Sequence, residues 1–224
     1  MPKTLACIHT SMVFVKVETM MDDLFREIMP DVKRMNIVDD SLLPHCMGRG
    51  EVTPALVRRM SAYVQCAADA GADAVLSLCS SLGPSIDVAR RTVGIPVIKI
   101  DDGMAERAAS TAARMAVLAT VPTTLGPTCD LIRAKAAAGG KTIDVRPALA
   151  EGAFDLLMKG ERDAHDDRVA AAAREAAGAD VEILVLAQAS MTRLAPRLEQ
   201  LIGKPVLSSP RLGIEHTRRI LDSL

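Results

Sequence analysis

Tryptophan is absent from this chain, tyrosine occurs once and phenylalanine three times. So few aromatic faces exclude the base-stacking platforms that hold single-stranded nucleic acid. Neither sign of charge dominates. The formal net charge is −1 and the basic residues are scattered, which leaves no electrostatic footprint for nucleic acid. No apolar run approaches the roughly 20 residues of a membrane span. The opening MPKTLACIHTSMVF carries one lysine, and Lys16 soon interrupts its apolar stretch, so it does not read as a signal peptide. The expectation is a cytoplasmic protein with reduced thiols. The five cysteines are odd in number and never spaced C-x-x-C, which suits neither a disulfide framework nor a zinc site. Phosphate-binding loops are missing as well. There is no Walker A pattern, and Gly48-Arg49-Gly50 lacks the third glycine and the strand–turn–helix setting of a dinucleotide fingerprint. No cofactor and no metal are expected.

Hydrophobic residues make up 49% of the 224, enough for a folded protein with one large core or two smaller ones. Short apolar runs (LACIHT, VKRMNIV, AVLSLC, PVIKI, MAVLAT, TIDVRP, EILVLA and KPVLSS) alternate with longer Ala-rich helical patterns. Near-continuous apolar strands predict parallel sheets covered on both faces, and the alternation with helices predicts an α/β fold. Thr53 followed by Pro54 reads as an N-cap and first helical residue. Gly71 and Gly178 sit where a glycine closes a helix before the next strand.

The chain also repeats itself. Gly-Ala-Asp at 71–73 recurs at 178–180. Seventeen residues separate Cys79 from Pro96, and seventeen separate Gln188 from Pro205, with Gly94 and Gly203 two places before each proline. The segment leading from Gly-Ala-Asp is two residues longer in the second copy. The repeat predicts two similar α/β units, residues 1–100 plus 207–224 and residues 101–206, with Gln188 in the place that Cys79 holds. The opening strands of the copies end in hydroxyl residues, Ile8-His9-Thr10-Ser11 and Leu118–Thr124. Ligands of open parallel sheets bind beyond the carboxyl ends of strands. Thr10, Ser11, Cys79, Thr120 and Gln188 all fall at such ends. If the two units face each other, Cys79 and Gln188 form opposite walls of one cleft.

Cys79 ends an apolar run and leads into SSLGPSIDVARR, a helix start. Unpaired backbone N–H groups there stabilise a thiolate, and together with the hydroxyls of Ser80 and Ser81 they can hold a carboxylate. A thiolate beside a carboxylate suits proton abstraction or attack on an activated carbon. The alternative is a cysteine acting as a small buried hydrophobe. The remaining candidates read as structural. Cys7 lies in the first strand, Cys66 in a helix core and Cys129 on a helix, while Cys46 sits in a loop beside His45. His9 ends the first strand, where a lone histidine is more often hydrogen-bonded than liganding. Glu161–Arg168, with His165 at its centre, reads as an exposed loop and helix start. Asp101 and Asp102 follow a strand and fit either a cleft or helix capping. Asp39 and Asp40, also at a strand end, have a better claim to line the site. His216 matches no defensible role.

The stretch GADAVLSLCSSLG, followed by GIPVIKIDDGMAERA, resembles the aspartate/glutamate/hydantoin racemase superfamily. LAQASM resembles that family's second cysteine segment with the cysteine replaced. The resemblance covers nearly the whole chain. It implies two pseudo-symmetric Rossmann-like units with parallel sheets, an active site in the cleft between them, no cofactor or metal, and a homo-oligomer such as a dimer. It implies that Cys79 is the first catalytic cysteine. It also implies that Ser80 and Ser81 hold the substrate carboxylate, that Thr10 and Ser11 form the polar pair at the first strand end, and that Thr120 or Thr123 are the threonines of the second unit. Gln188 falls on the second cysteine, with Ala189 and Ser190 after it. Glutamine has no titratable proton, so a symmetric two-thiol racemase is in doubt. The expectation is a racemase or isomerase acting on a small carboxylate through Cys79, with Gln188 as a hydrogen-bond donor. A one-thiol decarboxylase or lyase, a maleate-isomerase-like enzyme, or a carboxylate-binding protein without chemistry are the alternatives.

Overall fold

The apolar runs become strands in the computed structural model, which describes residues 2–12, 15 and 19–224. They are β1 (Thr4–His9), β2 (Lys33–Val38), β3 (Ala74–Ser77), β4 (Val97–Lys99), β5 (Arg114–Ala119), β6 (Asp144–Leu149), β7 (Ile183–Leu186) and β8 (Val206–Ser208). Between and after them run α1 (Met20–Ile28), α2 (Leu42–Arg49), α3 (Pro54–Asp69), α4 (Gly83–Ala89), α5 (Asp102–Thr111), α6 (Pro122–Ala138), α7 (Ala153–Met158), α8 (Arg162–Ala176), α9 (Ala195–Ile202) and α10 (Ser209–Asp222). The chain divides into two compact units. Residues 1–103 and 210–224 make the first and residues 104–209 the second.

Each unit holds one four-stranded, wholly parallel sheet, ordered β2-β1-β3-β4 in the first and β6-β5-β7-β8 in the second. The repeat read from the sequence is therefore a repeat of topology. Its register is equally regular. Ile8 lies beside Ser77 and Ser77 beside Lys99, while Leu118 lies beside Leu186 and Leu186 beside Ser208. The expected α/β class is what the fold displays.

The inner strands are mostly apolar because helices cover both of their faces. In the first unit Ala6, Ile8 and Val75 pack with Leu42 and Cys46 of α2, Leu56, Met60 and Val64 of α3, and Ile86 of α4. Their neighbours of opposite parity, Leu5, Cys7, Ala74 and Leu76, pack with Met21 and Phe25 of α1 and with Ile214 and Leu221 of α10. In the second unit Ala116, Leu118, Leu184 and Leu186 meet Val169 and Ala173 of α8 and Leu198 of α9. Aliphatic and alanine side chains fill this core, as the shortage of aromatics requires. Edge strand β2 alternates instead, with Val38 exposed.

Local signals fared unequally. Thr53 Oγ1 accepts from Leu56 N at 3.4 Å, with Pro54 opening α3, as expected. Gly71 closes α3 with φ +83°, a conformation that glycine adopts without strain. Gly178 follows α8 but is not among the glycines with positive φ, so it does not close its helix in that way. Cys46 lies on α2 and not in a loop. Cys66 is exposed on α3 and not in the core, whereas Cys7 and Cys129 are buried. Among the described residues no helix is long and apolar enough to cross a membrane.

Gly213 of α10 shows how tightly the first unit is closed. A Cβ added there would stand 2.1 Å from the carbonyl oxygen of Ile100. Backbone must move to admit it, so Gly213→Ala is expected to lower stability by about 1–3 kcal/mol in denaturant unfolding. Gly48, around which nothing lies within 4 Å, is the control and should tolerate alanine with far less loss.

Candidate active site in two half-sites

In a doubly wound sheet the crevice opens where neighbouring strands send their connections to opposite faces. Here that point lies between β1 and β3 in the first unit and between β5 and β7 in the second. Thr10 and Thr120 follow the first strand of each pair, and Cys79 and Gln188 lie two residues beyond the second. The backbone at the two positions is nearly the same, φ −143° and ψ 112° at Cys79 against φ −137° and ψ 135° at Gln188. Each residue opens a 3₁₀ turn, Ser80–Leu82 or Ala189–Leu194, that runs into α4 or α9.

In the first half-site Cys79 is half-buried. Burial pushes its thiol up. The Thr10 hydroxyl and the backbone N–H groups of Leu82 and Ser81 pull the other way, and the Asp101 carboxylate adds to the rise. The net direction is upward, opposite to the stabilised thiolate expected from the turn alone, because withdrawal from water outweighs the turn's donors. Ser80 Oγ donates to Asp101 Oδ1 at 3.0 Å, and Asp101 is buried. Ser81 is buried as well, and its carbonyl receives the Cys46 thiol from α2 at 3.9 Å. Burial and the neighbouring Cys79 push Cys46 up to about 11. Ser11 is half-buried beside Thr10. Structure thus brings Thr10, Cys79, Ser80 and Ser81 together, with Asp101, one of the two aspartates after β4, beside them.

In the second half-site the Gln188 side chain is held by its oxygen. Oε1 accepts from Thr120 N at 2.6 Å, from Thr120 Oγ1 at 3.1 Å and from Val121 N at 3.1 Å. Two of these partners are backbone N–H groups, which can only donate, so the amide orientation is settled by the network. The Gln188 amide nitrogen is a donor without acid–base capacity. Ala189 and Ser190 begin the turn, half-buried, and Thr123 is half-buried on the first turn of α6.

Other expected candidates lie elsewhere or are committed. Asp39 accepts from Tyr63 Oη at 2.5 Å, Ser41 Oγ at 2.7 Å and Ser41 N at 3.1 Å, and also from Arg59. Burial raises its carboxyl, but these donors more than reverse that and hold it at about 2. It ties the end of β2 to α3. His9 is buried and bonded to Asn36 Oδ1 at 3.0 Å, a structural pairing. Asp102 Oδ2 accepts from Lys99 N at 2.8 Å. Glu161–Arg168 is the expected helix start, with Glu161 at the N-cap of α8, but it is not exposed throughout. His165 and Asp166 are buried on α8, their side chains 2.7 Å apart, and Asp166 takes two bonds of 2.5 Å from Arg193 of the 189–194 turn. The reason is the positive side chain five residues past Gln188, which sequence spacing along α8 does not reveal. Among the described residues no three His, Cys, Asp or Glu side chains gather as metal ligands.

Two repeated, doubly wound α/β units, each with a polar side chain at its switch point, define the class of this protein. A family model described as Asp/Glu/Hydantoin racemase matches residues 15–217. The chain belongs to the Asp/Glu/hydantoin racemase family. Its fold is similar to a glutamate racemase isoform from Bacillus anthracis (TM-score 0.75, 13% identity, 99% of this chain and 82% of that one). It is similar to allantoin racemase from Klebsiella pneumoniae (TM-score 0.70, 15% identity, 99% and 88%). Unliganded arylmalonate decarboxylase is a further similar structure (TM-score 0.59, 14% identity, 98% and 93%). At these identities the likeness is one of fold. A search of curated protein sequences finds no match.

Two outcomes follow. Gln188→Ala strips an acceptor from two backbone donors and should cost about 1–3 kcal/mol in unfolding, whereas Gln188→Glu keeps the acceptor and should cost much less. For Asp39, a folded-state carboxyl at about 2 against about 4 in the unfolded chain gives stability that is full above pH 4 and lost as pH falls toward 2. Asp39→Asn should flatten that acid limb in a pH series of thermal melts.

Proposed function

We propose that this family member is a cofactor-independent isomerase or racemase that acts on a small, amino acid-like carboxylate through the thiol of Cys79. The observation that carries the reading is the equivalence of positions 79 and 188, where one half-site keeps a sulfur and the other holds an amide. Family membership supplies the class, isomerase chemistry at a carbon next to a carboxylate. The geometry supplies the division of labour. Thr10 and the turn N–H groups of Ser81 and Leu82 offer donors to the sulfur or to substrate, and Gln188 offers its amide NH2. We infer that both half-sites serve one substrate.

One sulfur suffices for isomerisation across a double bond. The thiolate adds to one alkene carbon, the electron pair moves into the adjacent carboxylate as an enediolate, the resulting single bond rotates, and the pair returns to expel the thiolate. Racemisation needs one proton removed and one delivered to the opposite face. With Gln188 unable to donate a proton, water must supply the second. A lyase reading rests on a different observation, the upward displacement of the Cys79 thiol. A thiol that keeps its proton suits delivery of that proton to the enediolate left when a carboxylate departs as carbon dioxide.

The test is proton exchange and conversion in heavy water with aspartate, glutamate, hydantoins, maleate and arylmalonate, using the native protein and Cys79→Ser. Turnover that disappears in the variant supports the thiol. Binding without turnover for every candidate overturns the enzyme reading in favour of a binding protein. The pH profile separates the chemistries. Rates that climb through the alkaline range mark a working thiolate, and rates that fall there mark a working thiol. Gain of Cα exchange in Gln188→Cys would show that the second half-site serves the same substrate.

A further inference from the structure

The turn that Gln188 opens is tied to a helix distant in sequence. Within the turn, Gln188 O accepts from Met191 N at 3.1 Å, and the Met191 and Leu194 side chains are buried in the core of the second unit. Apolar burial sets how deep the turn sits but has no direction of its own. Direction comes from Arg193. Its guanidinium spans both carboxylate oxygens of Asp166 on α8, at 2.5 Å each, a two-pronged pairing that fixes orientation as well as place. Asp166 is 8% exposed, so water competes little for it. Because α8 leads from the end of β6 back toward the start of β7, its first residues lie at the carboxyl ends of the strands, the side on which Gln188 stands.

His165 completes the group. Its Nδ1 lies 2.7 Å from Asp166 Oδ1, and an ionised carboxylate only accepts, so the network assigns the hydrogen to Nδ1. Nε2 is then an acceptor, fully buried and without a partner among the described residues. An orphaned buried group destabilises the fold, so an apolar side chain would serve packing better. What the ring supplies is the bond to Asp166. The sulfur-bearing unit lacks this arrangement at the matched place. Arg193 stands five residues past Gln188, and five residues past Cys79 stands Pro84. There the turn is held instead by Ser80 on Asp101 and by the Cys46 thiol on the Ser81 carbonyl.

We propose that Arg193 and Asp166, steadied by His165, are positioning residues for Gln188. They hold the turn so that the amide oxygen stays on Thr120 and Val121 and the amide nitrogen keeps one direction. The inference deepens the reading in which both half-sites serve one substrate, and rests on it. A neighbouring pair supplies the internal control. Arg197 of α9 bonds Asp167 of α8 at 2.8 Å, one helical turn further on. Its partners are exposed, where an ion pair contributes little. A role confined to joining the two helices would be shared by both arginines. A role in aiming Gln188 belongs to Arg193.

The first measurement needs no substrate. The backbone N–H groups of Thr120 and Val121 donate to Gln188 Oε1, so their hydrogen exchange, resolved by NMR, reports whether that side chain is held. In Arg193→Ala their exchange should rise about tenfold or more, while Leu184, bonded to Pro205 within the sheet, changes far less. Arg193→Lys keeps the charge without the fork and should fall between, and Arg197→Ala should match the native protein. Native protection of Thr120 and Val121 in folded Arg193→Ala overturns the inference, as does a loss shared equally by Leu184 or reproduced by Arg197→Ala. Asp166→Asn carries the same test should Arg193→Ala not fold. With a substrate in hand, Arg193→Ala and Gln188→Ala should both raise KM about tenfold and leave kcat within about twofold. An unchanged KM in Gln188→Ala would sink the substrate reading of the second half-site, while the exchange data still decide Arg193 and Asp166.

Discussion

Everything at the two half-sites depends on how β3 pairs with β1 and β7 with β5. Residues of parallel neighbours sit side by side at a fixed offset, and one residue of slip would turn every side chain to the other face. With Ile8 beside Ser77 and Leu118 beside Leu186, the residue two beyond the second strand falls next to the threonine that follows the first. The pairing is held by packing on both faces, with odd-numbered residues of β1 against one helical layer and even-numbered ones against the other. Site geometry is thus a consequence of core packing, and the residue type at positions 79 and 188 is free to differ without disturbing the frame.

That freedom is used. The threonine that follows the first strand meets a sulfur in one unit and an amide oxygen in the other, while the backbone donors differ, Ser81 and Leu82 for the sulfur and Thr120 and Val121 for the oxygen. The chemical results differ. Withdrawal from water pushes the Cys79 thiol up despite the donors around it. An amide oxygen engaged by three donors has no proton to exchange and serves only to aim its nitrogen. One frame thereby holds a titratable group in one unit and an untitratable one in the other.

Most of the architecture was legible in the sequence, because parallel strands write themselves as uninterrupted apolar runs and the duplication could be counted from glycine and proline spacings. The places of Cys79, Thr10, Thr120 and Gln188 just beyond strands were legible for the same reason, since strand ends follow from strand positions. What failed depended on partners distant in sequence. Asp39 looked like a ligand-facing strand end, but Arg59 and Tyr63, one turn apart on α3, absorb its charge. The acidic stretch around His165 looked exposed because its partner Arg193 lies 27 residues past Asp166. Cys66 has the apolar neighbours of a core residue but faces outward, a matter of helical phase. Asp101 was open between a cleft and helix capping, a choice that turns on Ser80, 21 residues earlier, whose hydroxyl hydrogen it accepts.

Residues 210–224 belong to the first unit although they follow the whole of the second in the chain. Ile214 and Leu221 from this segment complete the layer over Leu5, Cys7 and Leu76. A chain emerging residue by residue from a ribosome can therefore finish the glutamine-bearing unit while the thiol-bearing one still lacks part of its covering, since units fold as their sequence becomes available. The unit that carries Cys79 is therefore completed only after all of the second unit has been made, an order opposite to the one in which the two begin.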